Sequence, residues 1–156
     1  MKETKVVNLT NRQHAVNCFN AVWDLLEKVD RTKQEDEEMI HKAHSSFYHW
    51  TKVKDVTATN ISVGYWQLAR VYAVLQIGER ALYYAERCLE ISFNNNLEPF
   101  YMAYAHEALS RAYAVLGKEN ESSVQKEKCK EIISKIENEE YKQLVENDIH
   151  TIESSI

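Results

Sequence analysis

The sequence predicts an all-α fold, a stack of antiparallel helix pairs with about seven helices, the last of them a C-terminal cap. Three observations predict it. Residues 68–75 read LARVYAVL and residues 109–116 read LSRAYAVL, at a constant offset: Arg111 minus Arg70, Tyr113 minus Tyr72 and Cys129 minus Cys88 each give 41. A spacing kept without gaps across two helical segments marks a repeated helix–turn–helix unit. Apolar residues recur at threes and fours almost throughout, which is the helical period. One proline and three glycines in 156 residues leave few breaks in long helices.

The elements follow in order. The first helix is expected over about 11–29, capped by Thr10, with Ala15, Phe19, Val22, Leu26 and Val29 as its apolar stripe. Thr32 and Glu35 have the spacing of a capping box, so a second helix starts there and ends near Val53. It carries Ile40, Ala43, Phe47 and Trp50 on one face. The segment KDVTATN favours caps and turns over a helix interior. A third helix is expected over 61–77 with Gly78 as the turn, and a fourth over 79–93, stopped by Asn94, Asn95 and Asn96. Pro99 fits the first turn of a fifth helix, which ends at Gly117. A sixth spans 119–136. A seventh, over 139–152, is acidic on one side, with Tyr141, Leu144, Val145, Ile149 and Ile152 on the other. A polar outer face is what the end of a helical stack requires. The chain reads as one domain over 1–156: a divergent first pair (11–53), a second (61–93), a third (98–136) and the capping helix.

Composition narrows the function classes. A net charge of −5 is unlike the basic face of a nucleic-acid binder. The opening MKETKVVNLTNRQ has no apolar stretch and does not read as a secretory signal. No run approaches the roughly 18 apolar residues that span a bilayer. Cys18, Cys88 and Cys129 are an odd, widely spaced set without a CxxC, as expected of buried thiols in a reducing cytoplasm. There is no GxGxxG, phosphate-binding loop or GxSxG, so no cofactor is expected and an enzyme loses its usual signatures.

The third to sixth helices resemble tetratricopeptide repeat units. The family's large–apolar–small–aromatic pattern falls on Tyr65, Leu68, Ala69 and Tyr72, followed by Ala81 and LYYAERCLEI. The same places in the next unit hold His106, Leu109, Ser110, Tyr113, Ser122 and Cys129. The resemblance covers about 61–136. The unit is 41 residues rather than the usual roughly 34, and Gln76 stands where the family has its turn glycine. The wording HxxxxHW, WQLARVYAVL and ALYYAERCLEI is also similar to a group of bacterial hypothetical proteins that carry no assigned activity. The family resemblance implies a right-handed stack. It also implies a concave groove for a partner segment, lined by Val63, Trp66, Arg70, Ala73 and Val74, and by Tyr104, Glu107, Arg111, Ala114 and Val115.

Two arginines thus repeat on adjacent inner helices. Their forks suit a carboxylate or phosphate, and Trp66 sits one turn before Arg70. The leading expectation is a non-catalytic interaction module that binds a peptide or another acidic group between Trp66, Arg70, Tyr104, Glu107 and Arg111. The plainer reading is that Glu107 pairs with Arg111 at i, i+4 and Arg70 cross-links helices. The alternative function is a small-ligand sensor or enzyme with a pocket between the second and third helices, walled by His44, His49, Trp50 and Trp66. Glu38, His41 and His44 are spaced by threes, yet a second ExxH and an HExxH are both missing, so no metal is expected. The expected partner is a protein or peptide, not a nucleic acid or membrane. A second copy of the chain is a further option, through an uncovered face of the first or last helix.

Overall fold

The structure, a computed structural model, describes residues 8–152. The reading of the first seven residues as lacking a leader lies outside the described residues. Seven α-helices occur among the described residues: α1 (Asn11–Glu27), α2 (Lys33–Thr51), α3 (Ala58–Val74), α4 (Gly78–Asn94), α5 (Pro99–Val115), α6 (Glu119–Ile133) and α7 (Glu139–His150). None of these helices is long and apolar enough to cross a membrane. Helices α1 to α6 each pack most extensively on a sequence neighbour, giving the pairs α1/α2, α3/α4 and α5/α6; α2 on α3 and α4 on α5 join the pairs. On one side of the stack α3 lies against α5, and α7 closes the end by packing on α5 and α6.

Local chemistry sets the helix ends. Thr10 with Gln13 and Thr32 with Glu35 form reciprocal capping boxes, each satisfying two backbone donors that the helix itself cannot. A third box, Thr57 with Asn60, starts α3 at Ala58, ahead of the Ile61 expected from sequence. The asparagine amide there does what a glutamate does in the usual pattern. Three helices end in the same hydrogen-bonded turn. The Ile77 N–H donates to Tyr72 O at 2.8 Å, Leu97 to Ser92 at 3.0 Å and Lys118 to Tyr113 at 2.9 Å. In each, one residue is left-handed: Gln76 (φ 61°), Asn96 (φ 49°) and Gly117 (φ 73°).

Gln76 is the repeat equivalent of Gly117, so the fold keeps a left-handed residue there without a glycine to relieve it. Gln76→Gly is expected to raise stability by up to about 1 kcal/mol, visible as a higher urea midpoint at unchanged slope. An unchanged or lower midpoint would show that this backbone is not strained. Gly78, expected to be the turn, is instead the first residue of α4. It is small for another reason: a Cβ there would lie 2.6 Å from Leu116 Cδ2.

The repeat is visible in the packing. Where the second unit has Ala69 and Ala81, the third has Ser110 and Ser122. The Ser110 hydroxyl donates to Ser122 O at 2.9 Å and the Ser122 hydroxyl to Ser110 O at 2.8 Å. Both hydroxyls are thereby satisfied, and α5 and α6 meet at small residues. At the C-terminal end Val145, Ile149 and Ile152 are buried with Ala103, Cys129 and Ile133. Tyr141 and Leu144, expected on the same buried side, are half exposed. They lie at the edge of the contact, where Tyr141 meets Phe100 at 4.8 Å between ring centroids.

Candidate functional site: a buried charge network beside an aromatic cavity

Glu107, in the middle of α5, is 0% exposed. Its Oε1 accepts from Arg111 Nε at 2.9 Å and Nη2 at 2.7 Å, and from Arg70 Nη2 at 3.0 Å. Its Oε2 accepts from Trp66 Nε1 at 3.1 Å. The network continues into α7. The Tyr104 hydroxyl donates to Asp148 Oδ2 at 2.7 Å, and Arg70 lies 3.5 Å from Asp148 Oδ1. Arg111 Nη2 also donates to Asp148 O at 3.0 Å and Thr151 Oγ1 at 2.7 Å. Burial pushes the Glu107 carboxyl up, and the two guanidinium charges with their hydrogen bonds more than offset this, leaving it below the ordinary carboxylate value. Burial likewise raises Tyr104, and its bond to Asp148 raises it further, so the phenol stays protonated.

The geometry of this network is itself periodic. Trp66 and Glu107, joined side chain to side chain, are 41 residues apart. Arg70 to Glu107 and Arg111 to Asp148 are both 37 apart. So α7 stands beside α5 as α5 stands beside α3, and Asp148 falls where Glu107 falls one helix earlier. Trp66, Arg70, Tyr104, Glu107 and Arg111 are all brought together, but the arginine forks already hold partners within the chain, with Arg70 Nε alone, among the described residues, buried and unpartnered.

Beside this network lies a cavity of about 380 Å³, within the range of small-ligand sites. It opens between α1, α3, α5 and α7, with Trp23, Trp66, Phe100, Tyr101 and Tyr104 as its aromatic walls and Asp148 at one side. The ring centroids of Trp23 and Trp66 are 5.5 Å apart, those of Trp66 and Tyr104 5.2 Å, and those of Phe100 and Tyr104 5.2 Å. Each pair is tilted or edge-to-face, the arrangement aromatic quadrupoles favour. Ser62 and Cys88 also line it, and both are engaged: Ser62 Oγ is 2.7 Å from Ser92 Oγ, and the Cys88 thiol donates to Ser62 O at 3.4 Å. Burial pushes that thiol up to about 12, so it is not a thiolate nucleophile near neutrality. Asp148 is the one formally charged side chain in the lining, of which neither arginine is part.

No protein-family model, curated protein or solved structure matches this chain.

His44, His49, Trp50 and Trp66 do not wall one pocket. His44 Nε2 is 2.7 Å from the Tyr72 hydroxyl, its ring edge-on to Tyr72 and Tyr84, and burial with the nearby Arg80 charge lowers its pKa. His49 Nδ1 is 2.8 Å from Asn11 Oδ1, its ring stacked on His14 at 4.7 Å. Trp50 packs with Ala15 and Val53 beneath the Arg12 guanidinium. Only Trp66 reaches the aromatic cavity. The reason is the helical period: five residues from His44 to His49 turn the chain through about 500°, roughly 140° past one full turn, so the rings leave different faces of α2. Glu38 pairs with Lys42 at 3.3 Å, and no group of three His, Cys, Asp or Glu among the described residues is placed to hold a metal ion. Three wall residues, Trp23, Phe100 and Tyr101, have no assigned role in the sequence. Phe100 and Tyr101 carried a usable signal, since they open the helix that also carries Tyr104. Trp23 lies on α1, which does not share the repeat.

Proposed function

We propose that the chain is a non-catalytic binding module, similar to tetratricopeptide domains, that takes a group of a partner with mainly hydrocarbon surface into the aromatic cavity between α1, α3, α5 and α7. The wall of five aromatic rings carries this reading. Such rings supply much apolar area with little conformational entropy to lose on binding. The expectation of a captured acidic group gives way to one that buries hydrocarbon against the rings, because Arg70 and Arg111 are bound to Glu107 and α7 and do not line the cavity. Three further features favour binding over catalysis. The Cys88 thiol is protonated, the Tyr104 hydroxyl is committed to Asp148, and the buried charges neutralise one another. Free cysteines at 18, 88 and 129 fit a reducing compartment, and we place the module in the cytoplasm.

The test uses Leu144→Trp. Leu144 lines the cavity yet is 51% exposed, so a larger side chain there obstructs the cavity without crowding the core. Peptides selected from a displayed random library are expected to share one side chain that anchors them and to lose at least about tenfold in affinity for the folded variant, a loss on the scale of one interface anchor. A library that yields no binder, or binders indifferent to Leu144→Trp, removes the cavity from the function.

A further inference from the structure

Resting on that reading, we infer that the group taken into the cavity is an organic cation, an alkylated ammonium head rather than a neutral or anionic one. The walls are the rings of Trp23, Trp66, Phe100, Tyr101 and Tyr104, and aromatic rings attract cations through their quadrupoles. Trp66 already serves in this way within the chain, with the Arg70 guanidinium 5.2 Å from its ring centroid. The single formal charge in the lining is the Asp148 carboxylate. Its Oδ2 accepts from Tyr104, but its Oδ1 has only Arg70, at 3.5 Å, longer than a strong charge-assisted hydrogen bond. The side chain remains 29% exposed, so acceptor capacity is left for an occupant.

The three charge types then separate. An anion would enter beside a carboxylate, with Trp66 Nε1 and the Tyr104 hydroxyl already engaged, and the one unpartnered buried donor of the network, Arg70 Nε, belongs to a residue outside the lining. A neutral apolar group would satisfy the walls and strip water from Asp148 without replacing it, which is unfavourable. A primary ammonium brings three donors to a site with few free acceptors. An alkylated ammonium asks for no such set: its methyl groups bury against the rings and its charge faces the carboxylate. Arg70 offsets part of this attraction, but its nearer carboxylate is Glu107, at 3.0 Å against 3.5 Å for Asp148 Oδ1, and the chain as a whole carries −5. That net charge favours the approach of cations.

The probes are benzyltrimethylammonium and neopentylbenzene, its neutral carbon isostere, titrated into the full chain and followed by tryptophan fluorescence. The cation is expected to bind about tenfold or more tightly than the isostere, the upper end of a desolvated cation–π site. Asp148→Asn is expected to remove most of that preference. Since Asp148 also holds α7, Trp23→Leu is the second variant: it leaves α7 untouched and is expected to weaken the cation several-fold. The source of the head is read in a parallel arm, where a peptide carrying trimethyllysine is compared with its unmodified lysine form and with free tetramethylammonium. Tighter binding of the trimethylated peptide than of the free ion assigns the head to a protein partner; equal binding assigns it to a small molecule. Equal affinity for benzyltrimethylammonium and neopentylbenzene overturns the inference and leaves the cavity reading intact. Binding of neither probe also overturns it, and the cavity reading then rests on the peptide selection with Leu144→Trp.

Discussion

Replacing Arg70 and Arg111 together by alanine is expected to cost the chain much of its fold. Glu107 has no exposure, and the double change removes both of its counterions, leaving the Trp66 N–H as its remaining side-chain donor. Breaking a buried ion pair by removing one partner costs about 3–5 kcal/mol, and a domain's whole stability is about 5–15 kcal/mol. The variant should therefore unfold at a much lower urea midpoint or fail to fold at room temperature. The triple variant Arg70→Met, Arg111→Met, Glu107→Leu is expected to recover most of the loss, because no charge is left stranded. A double variant with the wild-type midpoint would show that the network contributes little. The same network sets an acid limb. Glu107 has its folded pKa below the ordinary 4.5, so its contribution is complete above that value and is lost as pH falls through the lowered one. Glu107→Gln should flatten the stability profile in that window below pH 4.5 and leave its slope near neutrality unaltered.

The sequence made this network legible as a place and not as a closed circuit. The 41-residue period puts Trp66 on Glu107 and Arg70 near Arg111, because equivalent positions on adjacent inner helices face one another. It could not show that α7 completes the series. Asp148 lies 41 beyond Glu107, but α7 has none of the apolar signature by which the earlier units are recognised, so its register is invisible until it is seen docked. Of the two readings of the arginines, the plainer one holds: Arg111 pairs with Glu107 along α5, and Arg70 ties α3 to α5 through the same carboxylate. Trp23 was hidden for a related reason: α1 pairs with α2 without repeating the pattern, and its place on the inner side comes only from contacts such as Gln67 Nε2 to Phe19 O, at 3.1 Å. Gln76 shows the converse. Spacing put it at the turn position, while its residue type argued against a left-handed backbone, and the hydrogen-bonded turn overrode the type. His44 and His49 are five residues apart on one helix, and that spacing alone turns their rings to different faces.

Truncating Ile149 to alanine is expected to destabilise the protein by about 2–5 kcal/mol and to loosen α7 before anything else. Ile149 is 1% exposed within the cluster of Ala103, Cys129, Ile133 and Val145 that fixes α7 to α5 and α6. In a stack, each element leans on its neighbours, so an end helix can open while the pairs behind it stay closed. Hydrogen exchange of the variant should show protection lost over 139–150 first, with α3 and α4 retaining theirs. A uniform loss across the chain would mean that α7 is bound into one cooperative unit through Arg111 and Glu107. The outcome bears on the cavity, because α7 supplies two parts of it, Leu144 and Asp148. If α7 opens alone, its docking and cavity occupancy are linked: any ligand that needs the Asp148 wall must favour the docked helix by its own binding free energy. Benzyltrimethylammonium, added to Ile149→Ala, should then restore protection to α7 in proportion to its occupancy.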